Sequence, residues 1–450
     1  MNAIPITDSA SIRLEAHPTA RNRALANIEL KRGDTVIAIS ALSTALLPSD
    51  KGRRCDFCHR LDVVLSRCTG CASYWYCGVP CQRRAWNAHH KKVCKNHAKF
   101  VASPMYEGME PHERVDATLL SQVAVQLLGK SSTTLEWKPD PALELMMSLL
   151  PSHPPPHLPV LPLSSQDYPS DTLLKIFSRF GNNNFVLHSH FSNYAHGIYP
   201  LASRLFNHSC CPNSGVKYVF EEEEHPKMVV VALRDIATDE EITIPYIDPA
   251  LPSQDRDRAL KINYDFTCDC PLCVFQRKVD VSRPIEGSDL QRARALLISF
   301  TGCNIAQPPP NPVHLQDFSK VPDALLPFLH PSVLPDLSEV FSRTSHDGSL
   351  DIALDVGQTL LAIYFLIYPP NYPQTGMHAL EVAKSAWNAI IAGEKTKRDS
   401  SVQVARLLET ARWYLEVARR ILSTLGPEGD EGGPAQDVAF LQKLIDMESV

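Results

Sequence analysis

Seven cysteines and a histidine pair fall within residues 55–94, and their spacing constrains this chain more than any other feature. The run reads Cys55-x2-Cys58, Cys68-x2-Cys71, Cys77-x3-Cys81, then His89 or His90 before Cys94. A two-residue gap lets two thiolates reach one tetrahedral zinc from a tight knuckle, and a three-residue gap does so from consecutive helical turns. Eight ligands make two closed, four-ligand structural sites with no open position for catalysis at the metal. His90 lies four residues before Cys94 and would share its helical face, which favours it over His89.

Composition narrows the rest. At 450 residues the chain exceeds what one hydrophobic core usually serves, so two or three domains are expected. Apolar residues at 44% and charged residues at 21% give the balance of a soluble globular protein. No stretch approaches the roughly 18 uncharged apolar residues that span a bilayer, and no membrane partner is expected. Met1 to Ala10 has neither a basic segment nor an apolar run, so a secretory leader is not expected. The 13 cysteines should then stay reduced in cytoplasm or nucleus, where spaced cysteines suggest metal and not disulfides. Net charge is −6, but residues 50–100 carry +8 and the remainder −14. A basic module beside an acidic body suits acidic partners at one surface and a cationic substrate at another. Charge alone gives attraction without readout, so nucleic-acid contact ranks last among the partner classes.

Residues 11–16 and 34–40 read as short strands, with a turn-like Pro18 to Ala24 between them. A helix is expected around 112–129, and six prolines in 151–162 read as an extended connector. Met228 to Leu233 and Ile242 to Ile247 return to strand character. Beyond about 285 the pattern is helical. The apolar run Asp351 to Tyr368 stops at Pro369-Pro370, and residues 401–425 place Leu408, Ala411, Leu415, Ala418 and Leu422 at helical spacing.

A second constellation, Asn207-His208-Ser209-Cys210-Cys211-Pro212-Asn213, is followed by Glu240-Glu241 through Tyr246, then Tyr264-x-Phe266-x-Cys268-x-Cys270-x2-Cys273. The three late cysteines need a fourth ligand to close a zinc site, and Cys210 is available. Together with Tyr76, Gln82 and Trp86, which resemble the MYND zinc finger, these motifs resemble the SET-and-MYND class of protein-lysine methyltransferases. The resemblance implies an α+β fold: a SET β-fold with an inserted finger, a cysteine-rich post-SET segment and an all-α, tetratricopeptide-like C-terminal domain. The implied division is 1–54 (N-terminal SET part), 55–94 (finger), 95–200 (helical insert with the Pro-rich connector), 201–250 (core SET), 251–280 (post-SET zinc segment) and 281–450 (helical domain).

By resemblance the cofactors are S-adenosylmethionine and three zinc ions. The first ion would be held by Cys55, Cys58, Cys77 and Cys81, the second by Cys68, Cys71, His90 and Cys94, and the third by Cys210, Cys268, Cys270 and Cys273. The family has one residue fewer before its last finger cysteine, which keeps His89 as the alternative to His90. Tyr246 would be the catalytic hydroxyl, and Phe185, Tyr246, Tyr264 and Phe266 the walls of a lysine channel. Arg21, Asn22, Arg23, Asn183, Asn207, His208, Tyr246, Tyr264 and Phe266 would meet the cofactor. The partners implied are a lysine-containing protein substrate and proteins at the finger and helical domain, with the chain itself a monomer.

Four positions depart from the family pattern. Asn22 and Ala24 stand where a Gly-x-Gly turn usually cradles the cofactor, Pro245 precedes the tyrosine, and Asp239 replaces the glycine before the Glu-Glu pair. These departures support a second function class, a non-catalytic adaptor on a worn SET scaffold, against which the retained Asn207, His208, Tyr246, Tyr264 and Phe266 argue for the enzyme. His188, His190 and His196 have no metal spacing, Glu221 to Glu224 reads as a solvated hairpin tip, and Cys211 and Cys303 read as ordinary free thiols.

Overall fold

The computed structural model describes residues 11–17, 20, 22–128, 141–152, 158–163, 168–279, 287–309, 318–396 and 401–448, without the side chains of 287–289 and 394–396. Arg21 and residues 153–157 of the proline-rich connector, including Pro154, Pro155 and Pro156, lie outside the described residues.

β1 (Ile12–Ala16) and β2 (Asn22–Ala26) form an antiparallel hairpin, followed by β3 (Thr35–Ser40) and β4 (Ser43–Leu46). The chain then leaves for the cysteine-rich segment, which contains the short pair β5 (Ser66–Arg67) and β6 (Trp75–Tyr76). It returns in β7 (Asn184–Ser189), β8 (Ser192–Ile198), β9 (Asn207–His208), β10 (Ser214–Val219), β11 (Lys227–Ala232) and β12 (Thr243–Ile244). Two three-stranded sheets, ordered β10-β11-β3 and β4-β8-β7, each join one strand from before the finger to two from after it. The finger and the helices behind it are thus an insertion in one β fold. The pairs β3 with β11 and β4 with β8 sew its two ends together.

The sequence expectation of a turn through Ala24 is corrected here. Asn22–Ala26 is extended, with Asn22 opposite Ala16. Tertiary pairing decides it. The Ile242 amide donates to the Ala24 carbonyl at 2.8 Å and the Ala26 amide to the Glu240 carbonyl at 3.0 Å, so β2 is held on both edges. Ala24 and Ala26 are fully buried by this second partner, a setting that requires small side chains. Asp239 takes the left-handed conformation (φ 69°) at the turn leading into that partner, where its short polar chain tolerates what most residues cannot. Its carboxylate also pairs with Arg13 at 2.6 Å.

The helix Pro111–Leu128 covers β4 and β8 with Val115, Leu119, Val123 and Leu127, packed beside Ala45 and Ile198. The C-terminal third is helical, from Gly287–Thr301 to Pro434–Met447. Its helix Leu350–Ile367 is long and apolar enough to cross a bilayer by length and composition. In the fold, its Leu361, Ala362 and Ile363 are fully enclosed by neighbouring helices.

Two contacts dock this helical domain on the β fold. In the loop Tyr368 to Pro373, Tyr368 and Tyr372 stack at 4.7 Å and join a core with Val229, Val231 and Leu233, while the Asn371 amide donates to the Leu233 carbonyl at 2.7 Å. The acidic segment 426–433 supplies the second. Asp430 accepts a two-pronged ion pair from Arg54 at 3.0 and 2.7 Å, Arg54 lies over the Tyr194 ring at 4.2 Å, and Glu428 accepts from the His190 amide. Arg54 and Asp430 are both nearly buried, so each charge depends on the other. Replacing Asp430 by Ala leaves Arg54 with the His59 carbonyl at 3.0 Å and, for its charge, Asp50 at 3.5 Å. We expect a loss of about 2–3 kcal/mol in chemical denaturation, just under the usual ~3–5 for breaking a buried pair. A loss below about 0.5 kcal/mol would show that the strap does not hold the domains.

Candidate active site and metal centres

The described residues form three groups of four potential metal ligands, each with its donor atoms within 4.8 Å of one another: Cys55, Cys58, Cys77 and Cys81; Cys68, Cys71, His90 and Cys94; Cys210, Cys268, Cys270 and Cys273. Four thiolates about 2.3 Å from a tetrahedral zinc sit roughly 3.8 Å apart. The observed separations, such as 3.6 Å for Cys58 to Cys77, 3.9 Å for Cys68 to Cys94 and 3.5 Å for Cys273 to Cys210, match that cage. The three groups fit three zinc ions. Gly70 explains itself here, because a Cβ at that position would lie 2.8 Å from the Cys94 sulfur.

The structure also chooses between the histidines. His90 Nε2 lies 3.4 Å from Cys68 and 3.6 Å from Cys71, while His89 faces elsewhere. The turn Trp86–His90 is a π-helix in which the Lys91 amide reaches back five residues to the Trp86 carbonyl. A π turn accommodates one more residue than an α turn, so the additional residue is absorbed without moving His90 or Cys94 off the metal.

Arg256 is a member of the third centre that spacing gave no sign of. It is 1% exposed, donates to the Pro249 carbonyl at 3.0 Å, and directs a guanidinium nitrogen to Cys273 Sγ at 3.6 Å. A four-thiolate zinc carries a net charge of −2, and a buried cation beside it is compensated where it would otherwise be costly.

The third centre borders the aromatic site. β9 and β12 pair in parallel, Asn207 opposite Thr243 and His208 opposite Ile244, which brings two distant motifs side by side. Asn207 donates to the Asn22 carbonyl at 2.9 Å and to Glu241 at 2.8 Å. The Tyr246 amide donates to His208 Nδ1 at 2.9 Å, which leaves the imidazole proton on Nε2, facing Cys210 Sγ at 3.2 Å. His208 is therefore a strut between Tyr246 and a metal ligand, and burial lowers its pKa to about 4. The Tyr246 hydroxyl donates to the Phe206 carbonyl at 2.6 Å, and burial, then Tyr264, then Glu241 push its pKa well up. Tyr246, Tyr264, Phe266 and His208 form one ring cluster, with centroids 4.8 Å (Tyr246 to Tyr264), 6.3 Å (Tyr264 to Phe266) and 6.0 Å (His208 to Phe266) apart.

A family model for the SET domain matches residues 26–247, the β fold together with its insertion. The chain has a SET domain and the SET-and-MYND architecture. It is 29% identical over 269 residues to N-lysine methyltransferase SMYD2 of Bos taurus, covering 55% of this chain and 56% of that protein. It is 28% identical over 397 residues to histone-lysine N-methyltransferase SMYD3 of Homo sapiens, covering 83% and 88% respectively. The chain thus spans a little over half the length of the SMYD2 proteins it matches.

Within this SET-and-MYND chain the remaining expected residues are placed as follows. Asn22 bridges two motifs: its carbonyl accepts from Asn207, and its side-chain oxygen accepts from Arg204. Arg23 turns its guanidinium to Glu15 at 2.7 Å. Phe185 meets the Tyr199 edge at 5.9 Å and packs with Tyr246 around the same β core. The Asn183 amide nitrogen is taken by the carbonyls of Arg179 (2.7 Å) and Leu150 (3.2 Å), which leaves only its oxygen for a ligand. Ser203 was not legible as a site residue. Its hydroxyl is buried without a hydrogen-bond partner among the described residues, on the helix Pro200–Leu205 that leads into Asn207. His188 and His190 border Glu428 and join no metal group among the described residues.

Asn184 is anchored through Asp116, which accepts from its amide at 3.2 Å. Burial pushes the Asp116 pKa up to about 6, against a small opposing effect of His112. The unfolded chain releases this proton near pH 4 and the folded chain holds it to about pH 6, so stability falls as pH rises from about 4 to 6 and stays lowered above that. Asp116→Asn keeps the acceptor and removes the charge. It should stabilise the protein by ~1–2 kcal/mol at pH 7 and leave stability near pH 4 unchanged in denaturant titrations. An equal effect at both pH values would exclude this origin.

Proposed function

We propose that the chain transfers a methyl group from S-adenosylmethionine to the side-chain amine of a lysine in a protein substrate. The observation that carries this reading is the convergence of Asn207, His208, Tyr246, Tyr264 and Phe266 in one half-buried aromatic cluster beside a group of four cysteines. When bound, S-adenosylmethionine supplies an electrophilic methyl on a cationic sulfur. Aromatic faces such as Tyr264 and Phe266 suit both that cation and a methylated ammonium. The Ser203 hydroxyl, on the helix Pro200–Leu205 that leads into Asn207 and unpartnered among the described residues, would provide a polar group for the cofactor's own donors and acceptors.

The amine must be neutral to attack. A desolvated channel lined by Phe185 and Tyr246 lowers a lysine pKa, as does a neighbouring cation, and no dedicated base is required. His208 fits that scheme, since Tyr246 and Cys210 face its two ring nitrogens. Donation to the Phe206 carbonyl fixes the Tyr246 oxygen, so its lone pairs are aimed before substrate arrives. The departure at Asn22 and Ala24 does not favour an adaptor, because both residues are integrated into the site's hydrogen bonds. The all-thiol state of the clusters suits a reducing compartment, cytoplasm or nucleus.

S-adenosylmethionine at ~1 mM should raise the melting temperature of the zinc-loaded protein, as linkage requires of any ligand selective for the native state. No shift would overturn the reading. Tyr246→Phe should lower kcat by on the order of 100-fold while changing cofactor affinity little. Cys268→Ala should reduce transfer as severely and, unlike Tyr246→Phe, lower the bound zinc; full activity without the third ion would refute the bracing role.

A further inference from the structure

A cavity of about 410 Å³ opens where the finger meets the helix Pro111–Leu128, remote in sequence from the aromatic site. Its lining is Trp86, Asn87, Ala88, His89, Lys91 and Lys92 from the finger with Val125 and Gln126 from the helix. The π turn creates it. The additional residue that keeps His90 on the metal leaves His89 to fill the junction instead.

Two features distinguish this cavity from an ordinary crevice. His89 is only 4% exposed, its Nδ1 has no hydrogen-bond partner among the described residues, and the Gln126 amide nitrogen is equally buried and equally unpartnered. Buried polar atoms in native proteins are nearly always paired, so two orphans lining one cavity mark a place where a ligand completes the bonding. The second feature is charge. Lys91 and Lys92 are exposed at this cavity, no Asp or Glu lines it among the described residues, and the surrounding segment 50–100 carries +8.

We propose that this junction is a binding pocket for an acidic side chain of a partner protein's peptide segment. A carboxylate entering it accepts from the Gln126 amide and, at the rim, from Lys91 and Lys92, while Val125 and the Trp86 ring contact the aliphatic part. The size agrees: pockets of roughly 300–1,000 Å³ receive small groups, whereas a nucleic-acid backbone is met on open basic surfaces and not by an amide donor at the floor of a cavity. The inference does not depend on the methyl-transfer reading, since neither the aromatic cluster nor the third metal group takes part.

The test is titration of the zinc-loaded full chain with a hexaglutamate peptide, followed by calorimetry at low and physiological salt. Saturable binding is expected, weakened about tenfold by Lys91→Glu or Lys92→Glu and about fivefold by Gln126→Leu. Arg83→Glu, an equally exposed charge of the finger outside the cavity, should change it less than twofold. Unchanged zinc content and melting temperature establish that each variant is folded, and the lysine variants carry the test if Gln126→Leu is not. Three outcomes overturn the proposal: no binding, equal loss in Arg83→Glu and the lysine variants, or displacement of the peptide by tighter binding of a DNA oligonucleotide of equal charge.

Discussion

The hydrogen bonds through His208 are what the candidate site depends on. One ring nitrogen accepts from the Tyr246 backbone and the other faces the sulfur of Cys210, so a single neutral imidazole ties the Tyr246 backbone to a residue of the third cysteine group. Cys210 in turn shares its centre with Cys268, Cys270 and Cys273, which follow directly on Tyr264 and Phe266. Tyr246, through His208, and Tyr264 and Phe266, through the chain itself, are thus tied to one group of four cysteines. Arg256 makes the arrangement tenable, since a buried cation offsets the excess negative charge of four thiolates.

Around that unit the fold solves a topological problem. A finger and a helical segment are inserted between strands that must still pair. β3 with β11 and β4 with β8 carry the register across the gap, and the finger has two ligand groups of its own to order it. The second of these has an additional residue in its loop: a π turn takes up the length, and the displaced His89 becomes the wall of a cavity.

The C-terminal helices are more than an appendage. Their acidic strap places Asp430 on Arg54, the residue preceding the first zinc ligand, and Glu428 beside His188 and His190 of the β7–β8 hairpin. The Tyr368–Tyr372 stack docks them at a second point on β11. Finger entry, β fold and helical domain are thus linked through a few buried polar contacts, where charge pairing supplies specificity and apolar packing supplies area.

Short-range chemistry was legible from the residues alone. The ligand pairs follow from Cys spacing, because a knuckle or a helical turn imposes its own geometry, whereas the interleaving of the finger's pairs into two sets came from the family resemblance. The helices around 112–129, 351–368 and 401–425 follow from apolar periodicity, since a helix repeats its face every three to four residues. What the sequence could not decide depends on partners far along the chain. The turn expected at Asn22 to Ala24 is a strand because residues 240–242 bond to its other edge. Arg256 joins a metal centre, Asp430 reaches Arg54, and Ser203 loses its hydrogen-bond partners only through packing that no local pattern encodes. The finger's two metals were written in the spacing of Cys55 to Cys94. The choice of His90 over His89 was settled by the tertiary structure, where a π turn aims one ring at Cys68 and Cys71 and turns the other toward the helix behind it.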